Sequence, residues 1–191
     1  TGTVNVNTSG SMIIRNDLNV GVGTNGNGVV NIDAGTITTG GWNFIGNGNG
    51  STGTLNQSGG AFTNTGRTYI GGRNSGGTNS GIGHYNVAGG TNSNNGEFSV
   101  GSGNLTAASE ATLAVSGGTL SAGKTSIGGA AFEGGDANAG KGSATISGTG
   151  TLNVNGELWV GESSGSVGVL TMSGGAITMN SWVAVGRQSG T

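Results

Sequence analysis

The chain has 191 residues, a length that suits one domain, and its net charge is −2 with 7% charged residues. This balance provides no basic patch to neutralise phosphates and argues against nucleic-acid binding. The 46 glycines are accompanied by no proline, which excludes collagen, and the lack of cysteine excludes disulfides, thiol catalysis and thiolate metal sites.

The first predicted elements are short strands in which apolar side chains lie two residues apart. Val4-Asn5-Val6 opens the chain with this alternation, and Val30-Asn31-Ile32 and Leu113-Ala114-Val115 repeat it. A second short strand follows a corner rich in serine and glycine, for example at Thr36-Ile37 and Ala176-Ile177. A third strand then ends at a pair formed by Val or Ile and glycine. No apolar pattern has helical spacing.

The glycine of that pair gives the period of the repeat. Its spacings are 25, 25, 30, 27, 33 and 25 residues, at Gly21, Gly46, Gly71, Gly101, Gly128, Gly161 and Gly186. Roughly 25 residues with three strands fit one coil of a β-helix, whereas a four-stranded propeller blade needs about 40. We therefore predict a single all-β domain over residues 1–191, a right-handed single-stranded parallel β-helix (β-solenoid) of about seven coils.

Two further columns keep this phase and predict the inward side of the first strand. One contains Val6, Ile32, Gln57, Val87, Val115, Ile146 and Met172, and the other contains Val4, Val30, Leu55, Tyr85, Leu113, Ala144 and Leu170. Only Gln57 clearly departs from the apolar pattern. A thin core of this kind is sufficient for a solenoid, because each coil buries its side chains against its neighbours.

A recurring motif reads Gly-Thr-x-x-Val-Ser-Gly-Gly-x-Leu, followed by x-x-Val-Gly, and segments 111–128 and 156–186 match it best. In the second segment, Gly161-Glu-Ser-Ser-Gly165 leads into Val169-Leu-Thr-Met-Ser-Gly-Gly175. The motif resembles the repeat shared by type V secretion passengers (autotransporters) and proteins with a PEP-CTERM sorting signal. The resemblance covers essentially the whole chain and implies a secreted or surface-displayed β-solenoid. It provides no catalytic residues.

The two ends of the chain are in phase with each other. The repeat glycine lies nine residues before the next inward residue in the regular coils, as from Gly21 to Val30. Gly186 to Thr191 is five steps, and entering a second molecule at Thr1 and reaching Val4 adds four, which again makes nine. We therefore predict a head-to-tail interface formed by Thr3, Val4, Val6, Met12, Leu18, Val20, Leu170, Met172, Ile177, Trp182, Val183 and Val185.

Two interpretations of these ends follow. In the first, the protein is an extracellular structural subunit that polymerises with itself into a fibre or surface filament. In the second, the chain is a section of a longer autotransporter-like adhesin that binds glycan or another surface partner. A first residue other than Met indicates a processed protein or a piece of a longer one. The sequence contains no apolar run of about eighteen residues, so it predicts no membrane span.

The residue four positions before each repeat glycine forms a column with alternating charge. Arg67, Glu97, Lys124 and Glu157 follow one another on successive coils, so opposite charges are predicted to meet, and Trp42 beside Arg67 predicts a cation–π contact. A solvated face with weak pairs is the simpler alternative. A second polar column, Asn5, Asn31, Asn56 and Asn86, predicts either stacked amides or exposed polar filler.

Two surfaces are candidates for binding a partner. Phe44, Tyr69 and Trp159 share one column, and the pattern predicts that it faces outward, as a glycan-stacking stripe or as aromatics without a role. The connections after Gly71, Gly101 and Gly128 are lengthened to 14, 12 and 16 steps and predict a protruding knob. Its candidate lateral-contact residues are Arg73, His84, Glu110, Phe132, Glu133 and Asp136.

This knob has three alternative interpretations: a grip on a neighbouring filament, a ligand-binding surface, or tolerated loop growth. Its acidic residues suit calcium, but no calcium-binding loop motif is present. His84 is the chain's one histidine, so a metal site built from several histidines is excluded. No Asp lies at a spacing from it that indicates a catalytic triad. We predict no enzyme activity, no metal and no cofactor.

Overall fold

A computed structural model describes residues 1–7, 9–73, 81–102, 110–129, 140–162 and 165–187, with the side chain of Arg73 excepted. Every regular element in these ranges is a β-strand, and no helix occurs in them. All strand pairs are parallel, and the strands fall into three sheets of seven. The predicted all-β parallel solenoid is therefore confirmed, whereas its right-handedness stays a prediction.

Each repeat contributes one strand to each sheet, as the sequence pattern predicted. The first sheet contains Gly2–Val6, Asn27–Ile32, Thr52–Gln57, Ile82–Val87, Ala111–Val115, Lys141–Ile146 and Val167–Met172. The second contains Ser11–Ile14, Thr36–Thr39, Ala61–Asn64, Thr91–Asn94, Thr119–Ala122, Thr151–Val154 and Ala176–Met179. The third contains Leu18–Val22, Asn43–Asn47, Thr68–Arg73, Phe98–Ser102, Thr125–Ile127, Leu158–Val160 and Val183–Val185.

The register between neighbouring strands follows the sequence columns. Val4 pairs with Val30, and Val30 pairs with Leu55, so the inward positions stay aligned from coil to coil. At the other end of the chain, Ala144 pairs with Leu170 in the same column. Because side chains alternate between the two faces of a strand, this alignment keeps one apolar face inside along the whole axis.

The core includes several polar residues, whereas the apolar columns predicted only one clear exception. Gln57 points inward, donates to the Thr91 carbonyl at 2.9 Å and accepts from Asn92 at 2.8 Å. Asn92 also donates to the Tyr85 hydroxyl, and burial raises the pKa of Tyr85, so this phenol stays neutral. Gln57 is tolerated in the core because both ends of its amide are hydrogen-bonded.

A second buried polar cluster lies between the second and third sheets. Asn64 accepts from Thr39 at 3.0 Å and donates to Thr68 at 3.1 Å, and Thr68 donates to Asn94 at 2.7 Å. All four side chains are 1% exposed or less. Such groups are stable inside a protein only when their partners are present, so the register of these coils is fixed by polar as well as apolar contacts.

Glycine is required at the corners for two different reasons. The repeat glycines adopt positive φ, for example 64° at Gly21 and 73° at Gly46. A second column, at the start of the first-sheet strands, needs glycine for space. A Cβ on Gly53 would lie 2.2 Å from both the Gly46 nitrogen and the Val20 carbonyl oxygen, and Gly28 and Gly168 are similarly crowded.

Substitution in this second column tests the tightness of the corner. We expect Gly53→Ala to lower the free energy of unfolding by about 3 kcal/mol or more, because the backbone of two neighbouring coils must move. Gly2→Ala is the matched control, since a Cβ there meets no atom within 4 Å. Thermal unfolding followed by circular dichroism measures both. Equal melting temperatures for the two variants would contradict this account of the corner.

Candidate assembly surfaces at the two end coils

Apolar side chains are exposed at the two ends of the solenoid. We define the first coil by the strands Gly2–Val6, Ser11–Ile14 and Leu18–Val22, and the last coil by Val167–Met172, Ala176–Met179 and Val183–Val185. Among the described residues, every exposed large hydrophobic side chain belongs to one of these two coils: Val4, Met12, Ile13, Val22, Val167, Val169, Met172, Trp182, Val183 and Val185. Clusters of exposed apolar residues are typical of interaction surfaces.

The predicted interface residues take different positions on these coils. Thr3, Val4, Met12, Met172, Trp182, Val183 and Val185 are exposed, while Val6, Leu18, Leu170 and Ile177 are half-buried. Val20 is the exception, because it is only 2% exposed and already packs in the core. The strongest contrast is in the column of Val185, which is 78% exposed although Ile127 and Val160, earlier in that column, are buried.

A cavity of about 390 Å³ opens on the first coil. Its wall includes Val4, Leu18, Val20 and Val30, together with the glycine corner around Gly21 and Gly28. Val4 and Val30 share a column with Leu170, which lies at the opposite end of the molecule. The first coil therefore offers an apolar recess, and the last coil offers apolar side chains of the same columns.

The backbone hydrogen bonds between coils form series that stop at the end coils. In one series, Thr36 donates to Gly10 at 2.9 Å, and the last member runs from Ala176 to Gly150 at 2.9 Å. One step further, the Ser11 amide of a second copy would meet the Gly175 carbonyl. The end strands are thus sheet edges with the donors and acceptors that parallel pairing requires.

The structure describes only part of the segment that is predicted to bring the end of the chain into phase with its beginning. Gly186 is described and donates to Val160 at 2.8 Å, as the equivalent glycines do in earlier coils. Residues 188–191, which complete the predicted nine-residue step, lie outside the described residues. The register of a head-to-tail junction thus stays a prediction.

The charge column forms ion pairs along the solenoid. Arg67 Nε lies 3.0 Å from Glu97 Oε2, and Lys124 Nζ lies 3.3 Å from Glu157 Oε2. These side chains are 25–31% exposed, so the pairs are partly shielded from water. The predicted cation–π contact is present too, with the Arg67 guanidinium 5.3 Å from the Trp42 ring centroid.

The asparagine column forms a continuous ladder. Asn31 donates to Asn5 at 2.7 Å, Asn56 donates to Asn31 at 2.9 Å, and Asn86 donates to Asn56 at 2.8 Å. Of the two interpretations of this column, stacked amides are confirmed. Each amide donates toward the N-terminal end of the solenoid, so the ladder has a direction.

The aromatic column is not the outward-exposed stripe that the sequence predicted. Phe44 and Tyr69 stack with ring centroids 5.7 Å apart, but Phe44 is 8%, Tyr69 3% and Trp159 6% exposed. Cations and aromatic neighbours cover part of this column, because Lys124 Nζ lies 3.4 Å from the Trp159 ring centroid and Trp42 contacts both Phe44 and Tyr69. Alternation along the strand predicts which face of the sheet these aromatic side chains occupy, but it does not predict how deeply they are buried by their neighbours.

The predicted lateral-contact residues are only partly visible. His84 Nδ1 lies 2.7 Å from Thr112 Oγ1, and Glu110 lies 3.8 Å from Lys141. Phe132, Glu133 and Asp136 are outside the described residues, as is the side chain of Arg73. Within the described ranges, no group of three or more His, Cys, Asp or Glu side chains is placed to hold a metal ion.

Comparison with protein-family models, curated proteins and solved structures finds no match for this chain. In the described part of the chain, no helix has the length and hydrophobicity needed to cross a membrane.

The charge column gives a prediction about stability. We expect Glu97→Lys to lower the melting temperature by about 2–4 °C more than Glu97→Gln does, because Lys would stand between Arg67 and Lys124. Differential scanning calorimetry at low and high salt measures both variants. If the two variants have the same melting temperature at low salt, the charge column has no role in holding the coils in register.

Proposed function

We propose that this protein is an extracellular structural subunit that assembles head to tail, by stacking of its end coils, into a fibre or surface filament. The observation that carries the proposal is the confinement of exposed large hydrophobic side chains, among the described residues, to the first and last coils. Both surfaces belong to the same three sheets, so a second copy would continue every sheet in parallel.

The proposed contact repeats one that the molecule already makes internally. Inside the solenoid, coils stack through parallel backbone hydrogen bonds and aligned apolar columns. A second copy placed on the last coil would bury Val185 under Val20 of the next molecule and extend the hydrogen-bond series. Addition of strands to an exposed sheet edge is a common mode of protein association.

The geometry of this contact favours an open polymer. The first and last coils are different surfaces, so their contact is heterologous, and such contacts give a filament when the rotation does not close. Stacked coils lie about 4.8 Å apart along the solenoid axis. A second copy stacked in the same way would extend this axis, so the fibre axis would be the solenoid axis. Placement outside the cell is supported by the resemblance to autotransporter and PEP-CTERM repeats.

The alternative is an adhesin passenger in which the same end coils stack on further coils of one longer polypeptide. Uncovered apolar coils fit this arrangement equally well. The glycan-binding part of this alternative has lost one support, because the aromatic column is buried. The two functions differ in the behaviour of the 191-residue chain at high concentration.

Assembly is tested with one substitution in the last coil. We expect Val185→Asp to abolish fibres, because an inward carboxylate would be buried without a partner in the stacked form. Thr178→Asp is the control, since Thr178 is a polar residue exposed on the outer face of the same coil. Light scattering and negative-stain microscopy measure assembly. Short, monodisperse wild-type particles at high concentration would contradict the proposed function.

A further inference from the structure

The glycine positions at the inner corner between the third and first sheets have no space for a side chain. A Cβ on Gly28 would lie 2.4 Å from the Gly21 nitrogen, and one on Gly83 would lie 2.3 Å from the Gly71 nitrogen. Gly168 repeats the pattern, with 2.5 Å to the Gly161 nitrogen. In this column, each glycine thus contacts the backbone of the repeat glycine that precedes it in the chain.

The same positions are open at the two ends of the solenoid. Gly2, the first member of the column, has no atom within 4 Å of a Cβ, and neither has Gly186, the last repeat glycine. A Cβ on Gly161 would have only two neighbours, the Gly168 nitrogen at 3.7 Å and the Ser166 carbonyl oxygen at 4.0 Å, whereas one on Gly128 would lie 2.4 Å from the Val167 carbonyl oxygen of the last coil. The contact that every regular coil makes is therefore unfilled at both ends.

We infer that Gly2 is the specificity-determining residue of the junction, where it packs against the Gly186 backbone of the preceding copy and admits one register only. This inference rests on the proposed head-to-tail assembly and names its closest contact. Gly2 does not adopt a positive φ, so its backbone conformation does not require glycine. Its role is to leave space for a second molecule.

A shifted register would lose this fit. A slip by one residue would bring the side chain of Thr1 or Thr3 to the position of Gly2, against the amide of the partner. The same slip would turn the apolar column of Val4 toward solvent. Steric exclusion and loss of apolar burial would therefore act together against the wrong register.

The asparagine ladder supports the same alignment. Asn31 donates to the Asn5 side-chain oxygen, and the ladder direction points the Asn5 amide toward a preceding copy. Thr171 occupies the equivalent position on the last coil, next to Thr145, and its side chain is exposed. In the register set by Gly2, the Asn5 amide would meet the Thr171 hydroxyl.

One internal coil has alanine in place of glycine in this column. Ala111 pairs with Gly142 there, so a methyl group is accommodated at this one position. For this reason the test uses valine, which is larger than alanine and is favoured in strands.

The experiment compares Gly2→Val with Thr54→Val in the full chain. Both place valine in the first sheet, but Thr54 lies on the outer face of an internal coil, where it pairs with Val29. At concentrations too low for assembly, we expect both variants to keep the wild-type circular dichroism and melting temperature. At high concentration, Gly2→Val should lower the fibre yield at least tenfold, while Thr54→Val should assemble as the wild type does.

A mixing experiment excludes misfolding as the cause. Gly2→Val retains an unmodified last coil, so it should bind the first coil of a growing wild-type fibre and stop growth there. Added at a substoichiometric ratio, it should shorten wild-type fibres, and Thr54→Val should not. Wild-type fibre growth by Gly2→Val would overturn the role of Gly2 and leave the proposed function standing. Absence of fibres from the wild type would overturn both.

Discussion

Parallel backbone hydrogen bonding between successive coils is the interaction on which the rest of this structure depends. No coil is stable by itself, because its single layer of strands has neither a closed core nor paired edges. Each coil obtains both from the coils above and below it. The side-chain columns, the asparagine ladder and the ion pairs are all consequences of this stacking, since it places the same sequence position at the same place in every coil.

The glycine corners permit this stacking at close distance. The repeat glycines turn the chain with positive φ, and the second glycine column allows the turn to lie directly against the next strand. These two requirements explain why glycine is so frequent in a chain whose described strands stack into three continuous sheets. The insertions occur in the connection after the repeat glycine, and the strands that follow them keep their register.

Much of this fold could be predicted from the sequence, because the period of the columns is physical. Val4, Val30 and Leu55 align in the structure as they do in the pattern, and the asparagine column is in contact as well. The burial of Tyr69 and the polar network around Asn64 and Asn92 could not be predicted. Both depend on what neighbouring columns place nearby, which alternation along one strand does not reveal. The glycine column of Gly2 was visible in the sequence but was hidden by the general abundance of glycine.

The molecule is polar along its axis, because all its described strands are parallel and the asparagine amides donate toward the N-terminal coil. Its two tips expose different chemistry, with an amide and a recess at one tip and a hydroxyl and protruding side chains at the other. A polymer of such units would have the same polarity. Its two growing points would incorporate subunits at unequal speeds, and a surface anchor at one of them would determine which chemistry the free tip presents to its surroundings.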